Sequence, residues 1–116
     1  MQNQSYIPTL KGSQYKIYDM GRKSPSWELD LDFENICNDN LSSRMKDIAF
    51  KTACNQAYIE QIGQISAAQL LVKAKDPEIR FALSRSVADE SRHAEIFAKY
   101  AMSLIPVMDN PNPGML

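Results

Sequence analysis

Long apolar runs, a cysteine framework and an apolar leader are all missing from this chain of 116 residues. No uninterrupted apolar stretch approaches the roughly 20 residues that span a bilayer, and the first residues lack the apolar region of a signal peptide. The two cysteines, Cys37 and Cys54, form no C-x-x-C motif and are too few to staple a secreted fold. We therefore expect a cytoplasmic protein with reduced thiols and no membrane contact.

A strong charge of one sign is missing as well. The net charge is -1, and the basic residues are scattered among acids, whereas nucleic-acid-binding domains carry a basic patch. No nucleic-acid partner is expected. With 44% hydrophobic and 23% charged residues, the composition is typical of one ordinary soluble domain with a single core.

Helix-breaking residues are scarce in the middle of the chain. No proline interrupts residues 42–74, and Gly63 is the only glycine there. Because Asn40 and Ser42 are both acceptable N-caps, the sequence predicts one long helix that starts near them and ends at Ala74.

A helix break follows this first helix. Asp76 is able to cap a helix, Pro77 fits its first turn, and Pro106 ends it, so a second helix is predicted from about Pro77 to Ile105. The fold class is therefore all-α, with a two-helix domain over residues 42–105 that folds as an antiparallel hairpin.

The flanking segments give weaker patterns. Residues 1–41 include several aromatic residues, Trp27 among them, but their apolar residues follow no sustained helical or strand periodicity. We interpret this segment as an ordered arm that covers either this chain's own core or a second subunit. A short helix is predicted near Leu29–Cys37. Residues 106–116 contain three prolines and a glycine, which is typical of an extended or loosely attached tail.

Two glutamates and the only histidine of the chain are expected at one height of the hairpin. Glu60 lies fifteen residues before Lys75, whereas Glu90 and His93 lie fourteen and seventeen residues after Asp76. In an antiparallel pair of helices these three side chains meet. Glu60 lies on a seam of mostly small residues, and Glu90 and His93 interrupt an apolar stripe.

Glutamates on apolar helix faces protonate, pair with a cation or bind a metal. The i, i+3 spacing of Glu90 and His93 lets one ion take a carboxylate oxygen and an imidazole nitrogen together. Bundles with two iron or manganese ions use one Glu from each of two helices and Glu-x-x-His from each of two others. Two hairpins, from a homodimer or from a separate chain, would complete this set as a four-helix bundle.

Neighbouring residues are expected to support the ligands. Asp89 is positioned to accept a hydrogen bond from the partner's ligating histidine. Arg92 is positioned to hold Asp89 by a charge-assisted hydrogen bond. Other charged residues of the second helix, Glu78, Arg85 and Glu95 among them, are interpreted as solvated faces. Because Glu-x-x-His also arises by chance, a plain hairpin with a buried ion pair is the alternative to a metal site.

The run Asp89–His93, preceded thirty residues earlier by Glu60, resembles the first metal-binding half of the ferritin-like superfamily. Its D-E-x-R-H motif is similar to the one found in bacterial multicomponent monooxygenase hydroxylases and related di-iron N-oxygenases. The resemblance covers about residues 42–105. Those oxygenases carry a second Glu and Glu-x-x-His in the same chain, whereas this sequence contains one set, as do short ferritin-like proteins of the encapsulated type.

The resemblance implies that Glu60 is a ligand, that Glu90 bridges two metals, that His93 ligates one of them, and that Asp89 with Arg92 supports them. It implies an oxygen-activating non-haem di-iron oxidoreductase of the oxygenase type, with two iron ions as cofactor, dioxygen as co-substrate and an electron donor as partner. Manganese or a mixed pair suits the same ligands. The alternatives are a ferroxidase subunit of the encapsulated-ferritin type and a metal-free helical interaction module.

Overall fold

The computed structural model describes residues 7–23 and 31–111 of the chain. These residues form three α-helices and no strand, which confirms the all-α prediction: α1 is Ser13–Lys23, α2 is Ser43–Lys73 and α3 is Pro77–Leu104. Single turns of 3-10 helix cover Phe33–Asn35 and Ile105–Val107. Among these helices, none is both long enough and apolar enough to cross a membrane.

The two long helices begin where the sequence predicts. The Ser42 side chain accepts a hydrogen bond from the Met45 amide and caps α2, and the Asp76 side chain accepts one from the Glu78 amide and caps α3. The helices run antiparallel and pack along their length, so that Gln64 in the middle of α2 hydrogen-bonds to Ser91 in the middle of α3.

The apolar core lies at the end of the hairpin far from its turn. Phe50 of α2 and Leu104 of α3 are fully buried, with Ala53, Cys54 and Ala101 around them. The predicted seam of small residues faces α3 as expected, because its alanines, Ala53, Ala57 and Ala67, are all buried.

The segment before α2 contains a helix that the sequence did not predict. Helix α1 packs on α3, where Tyr18 stacks on Phe81 with ring centroids 5.2 Å apart and Tyr15 contacts both rings. The aromatic residues of the described arm therefore cover this chain's own helices. Trp27 and the first two residues of the short helix predicted near Leu29–Cys37 fall on residues 24–30, outside the described part. Its remaining residues, 31–37, form a single turn of 3-10 helix at Phe33–Asn35 and not the predicted helix.

Glu78 corrects a prediction. We expected it on a solvated helix face, but it is buried, and its Oε1 accepts hydrogen bonds from the Thr9 hydroxyl and the Lys11 amide. A Cβ on Gly12 would overlap the Glu78 carboxylate, so only glycine permits this approach. Glu78 thus fixes the segment that leads into α1.

The start of the predicted loose tail is attached instead. Ile105 and Met108 pack against the apolar core, and Asp109 accepts a hydrogen bond from the Ser43 hydroxyl at 2.8 Å. Residues 112–116 lie outside the described part.

The described chain is long and thin. Its extents are 65 × 27 × 15 Å and its radius of gyration is 19.1 Å, whereas a compact domain of this length has a radius of about 13 Å. A hairpin with α1 on one side is too thin to bury both faces of its long helices.

Candidate metal centre

Glu60, Glu90 and His93 come together at mid-height of the hairpin, as the sequence predicts. One ligand-type atom from each residue lies within 4.8 Å of the other two, and all three residues are partly buried. The cluster joins α2 to α3, because Glu60 lies on the first helix and the other two residues on the second.

The imidazole is oriented toward the carboxylates. His93 Nδ1 lies 3.3 Å from Glu60 Oε2 and 3.8 Å from Glu90 Oε2. Two ligand atoms bound at about 2.1 Å to neighbouring positions of one ion lie about 3.0–3.4 Å apart. One cation between these atoms therefore needs only small side-chain movements.

Gly63 makes room for the Glu90 carboxylate on the surface of α2. A Cβ at residue 63 would lie 3.0 Å from both Cδ and Oε2 of Glu90, which is closer than ordinary packing distance. The one glycine of α2 thus lies directly opposite a predicted ligand, where a larger residue would displace that ligand.

The proton affinity of the Glu90 carboxyl is increased by its neighbours in the cluster. The pKa of Glu90 is raised, first because its carboxyl shares a hydrogen bond with Glu60, and then by desolvation and by the negative charges of Glu60 and Asp89, while His93 acts in the opposite direction. Glu90 therefore binds its proton more tightly than an ordinary glutamate, and a bound cation would stabilise its ionised form.

Asp89 is held by a residue that the sequence analysis placed on a solvated face. Arg85 Nε lies 3.2 Å from Asp89 Oδ1, and the Arg85 side chain is only 19% exposed because Gly21 of α1 packs over it. The i, i+4 spacing of these two residues is the signal that could have identified the pair. Arg92 lies one turn further along α3 and is half-buried.

Two polar residues flank the ligands on the other side. Gln64 Nε2 donates to the Ser91 hydroxyl at 2.6 Å, and that hydroxyl donates to the Val87 carbonyl. This chain of hydrogen bonds fixes the two helices next to Glu90. Glu95 is exposed and pairs with Lys99, as a solvated residue should.

The donor set fits a first-row transition metal. Carboxylate oxygens and one imidazole nitrogen are ligands that iron, manganese and zinc accept, and no lysine or arginine belongs to the three-residue cluster.

A groove of about 660 Å³ lies elsewhere, near the end of α3, between Phe33, Lys99 and Met102.

No protein-family model, curated protein or solved structure matches this chain.

Proposed function

We propose that this chain supplies half of the ligands of a carboxylate-bridged di-iron centre in an oxygen-activating oxidoreductase. The observation that carries the proposal is the convergence of Glu60, Glu90 and His93 from two helices within 4.8 Å. Their identity and helical spacing match half of the set that di-iron bundles use, and the sequence resembles such proteins in the same residues.

The three ligands of one hairpin need a complement. Their side chains remain between 19% and 38% exposed, so the cluster is open on the side that neither α2 nor α3 covers. A second pair of helices with another Glu and Glu-x-x-His would close that side and bring the total to four carboxylates and two imidazoles. A second copy of the chain supplies this complement, or a separate chain does.

Each residue then has a distinct role. Iron bound at the centre would supply the electrons for dioxygen reduction. Glu60 and Glu90 provide the anionic charge, and a bound cation would favour the ionised form of both carboxyls. Asp89, oriented by Arg85, accepts the imidazole N–H of the opposing histidine and thereby directs the other ring nitrogen to the metal.

Anaerobic titration with Fe(II), followed by exposure to air, tests the proposal. We expect about one iron per chain, equivalent to two per pair of hairpins, and oxidation of that iron in air. Glu90→Gln should lose most of the bound iron. Glu95→Gln is the matched control, because Glu95 lies on the same helix but is exposed and paired with Lys99.

Three results would contradict the proposal or redirect it. Equal iron content in the two variants would show that Glu90 is not a ligand. Absence of bound iron in the wild-type protein would favour a metal-free interaction module. Continued oxidation of Fe(II) far beyond two ions per site, without any organic substrate, would assign the centre to iron handling.

A further inference from the structure

Helix α2 has a second exposed face that the metal centre does not use. Between Lys51 and Lys73 its only charged residue is Glu60. The exposed residues of these six turns are all apolar or neutral polar. A solvent-facing helix normally carries charges on its outer side, and a helix without them is normally buried.

The uncharged face contains a regular seam. Its six positions alternate in spacing between three and four residues, which is the pattern that faces a partner helix in a left-handed coiled coil. All six residues are exposed, with Val72 at 86%, Tyr58 at 66% and Ile65 at 58%. We name this set the outer seam; it consists of Asn55, Tyr58, Ile62, Ile65, Gln69 and Val72.

The outer seam points away from the metal centre. Tyr58 and Ile62 are each two residues from Glu60, and two residues correspond to about 200° of rotation around a helix. Helix α1 does not cover the seam either, because α1 packs on α3. The contact that completes the metal centre and a contact through the outer seam therefore use opposite sides of α2.

We propose that the outer seam is a self-association surface, on which α2 of a second copy of this chain docks antiparallel. The seam is self-complementary: turned end to end, it places Asn55 opposite Val72, Tyr58 opposite Gln69, and Ile62 opposite Ile65. The central pair is apolar, and the Tyr58 hydroxyl faces the Gln69 amide. No charge repels its counterpart in this register.

The lack of charge on the outer seam restricts which helix is able to pack on it. A partner helix must itself lack charges over several turns, since a buried charge without a partner is costly. Among the described helices only α2 has this property, because α1 and α3 carry charged residues in almost every turn. A second α2 is therefore the matching surface, and symmetric pairs are the commonest oligomers.

Sedimentation of the full chain with a double substitution tests the proposal. Ile62→Glu with Ile65→Glu places two glutamates opposite each other in each half of the contact, and we expect the molecular mass to fall to half that of the wild-type protein. Met102→Glu is the matched control, because Met102 is 54% exposed and lies on α3; its mass should not change. Circular dichroism should show equal helicity in all three proteins.

Cross-linking tests the register directly. In a Cys37→Ser background, an oxidised mixture of Tyr58→Cys and Gln69→Cys chains should form a disulfide-linked dimer, whereas Tyr58→Cys alone should not. Equal masses of the double variant and the wild type would overturn the proposal, and so would cross-linking of Tyr58→Cys to itself. A monomeric wild type that sediments with phosphatidylcholine vesicles would assign the face to lipid instead.

The outcome is separable from that for the metal centre. Ile62 and Ile65 lie on the far side of α2 from Glu60, so the double variant should bind as much iron per chain as the protein before substitution. If the double variant bound less iron but kept the molecular mass of the wild-type assembly, Ile62 and Ile65 would belong to the contact that completes the metal site, and the proposed geometry would be wrong.

Discussion

The hairpin is closed at its core end and open at the level of the metal centre. Phe50 and Leu104 are almost completely buried, while Glu60, Glu90 and His93, about three to four turns away along the helices, keep a fifth to more than a third of their side chains exposed. The same two helices form both levels. The difference lies in side-chain size: large apolar groups fill the first level, and Gly63 with small neighbours leaves space for carboxylates at the second.

The difference indicates that the two levels of the hairpin have separate roles, one in stability and one in metal binding. The core end, with Ile105 and Met108 folded over it, provides stability within one chain. The ligand level contributes groups that repel each other without a cation, and its open side is available to a second pair of helices. Four predictions test this division, beginning with the largest effect.

Phe50→Ala should have the largest effect, because it removes the main side chain of the closed level. Truncating a buried phenylalanine costs about 3–5 kcal/mol, a large part of the about 5–15 kcal/mol that stabilises a typical domain. Urea denaturation followed by circular dichroism measures the loss. Met102→Ala, at an exposed position of α3, should change the free energy of unfolding by no more than about 0.5 kcal/mol. Similar losses in both variants would show that no closed core exists.

His93→Ala should act on the open level alone. One ligand is lost, so affinity for Fe(II) should fall more than about 100-fold, beyond the effect of removing a partner of a ligand. The helix should persist, because alanine is compatible with its position on α3. Anaerobic calorimetric titration measures the affinity, and Lys99→Ala, at an exposed position of the same helix, is the control. Unchanged iron affinity would remove His93 from the ligand set.

The sequence predicted the parts of this structure that local chemistry determines. Ser42, Asp76 and Pro77 define the ends of the long helices, and the distances of Glu60 and Glu90 from the turn place them at one level. Caps and helical spacing act within a few residues, so they can be recognised without a structure.

The sequence could not predict features that depend on distant partners. Glu78 is buried because Thr9 and Lys11, nearly 70 residues away, donate hydrogen bonds to it. Helix α1 contains Gly21 and a short aromatic pattern whose partner, Phe81, belongs to α3. Neither partner can be inferred from spacing, because each depends on how α1 packs after the hairpin has formed.

Gly63→Ala should move stability and metal affinity in opposite directions. Alanine favours the helix over glycine by about 1 kcal/mol, so the metal-free protein should unfold at higher urea concentration. The added Cβ meets the Glu90 carboxylate at 3.0 Å, so iron affinity should fall about tenfold. Ser66→Ala, at an exposed position of α2, is the control and should leave iron affinity unchanged. A parallel rise or fall of both quantities would show that Gly63 does not provide space for a ligand.

The smallest expected effect is the pH dependence of the metal-free protein. The pKa of Glu90 is raised in the folded state, first by the hydrogen bond with Glu60, then by desolvation and by the charge of Glu60, so the folded chain binds a proton more tightly than the unfolded chain. The free energy of unfolding should therefore fall as pH rises from the ordinary pKa of a glutamate through the raised one. Glu90→Gln resembles the protonated form and should remove this decrease, making the variant more stable than the wild type near neutral pH but not in acid. Urea denaturation across this range measures the difference, with Glu95→Gln as the control. An equal pH dependence of the wild type and Glu90→Gln through this window would mean that the pKa of Glu90 is not raised, and that the open level does not need a cation to stabilise its carboxylates.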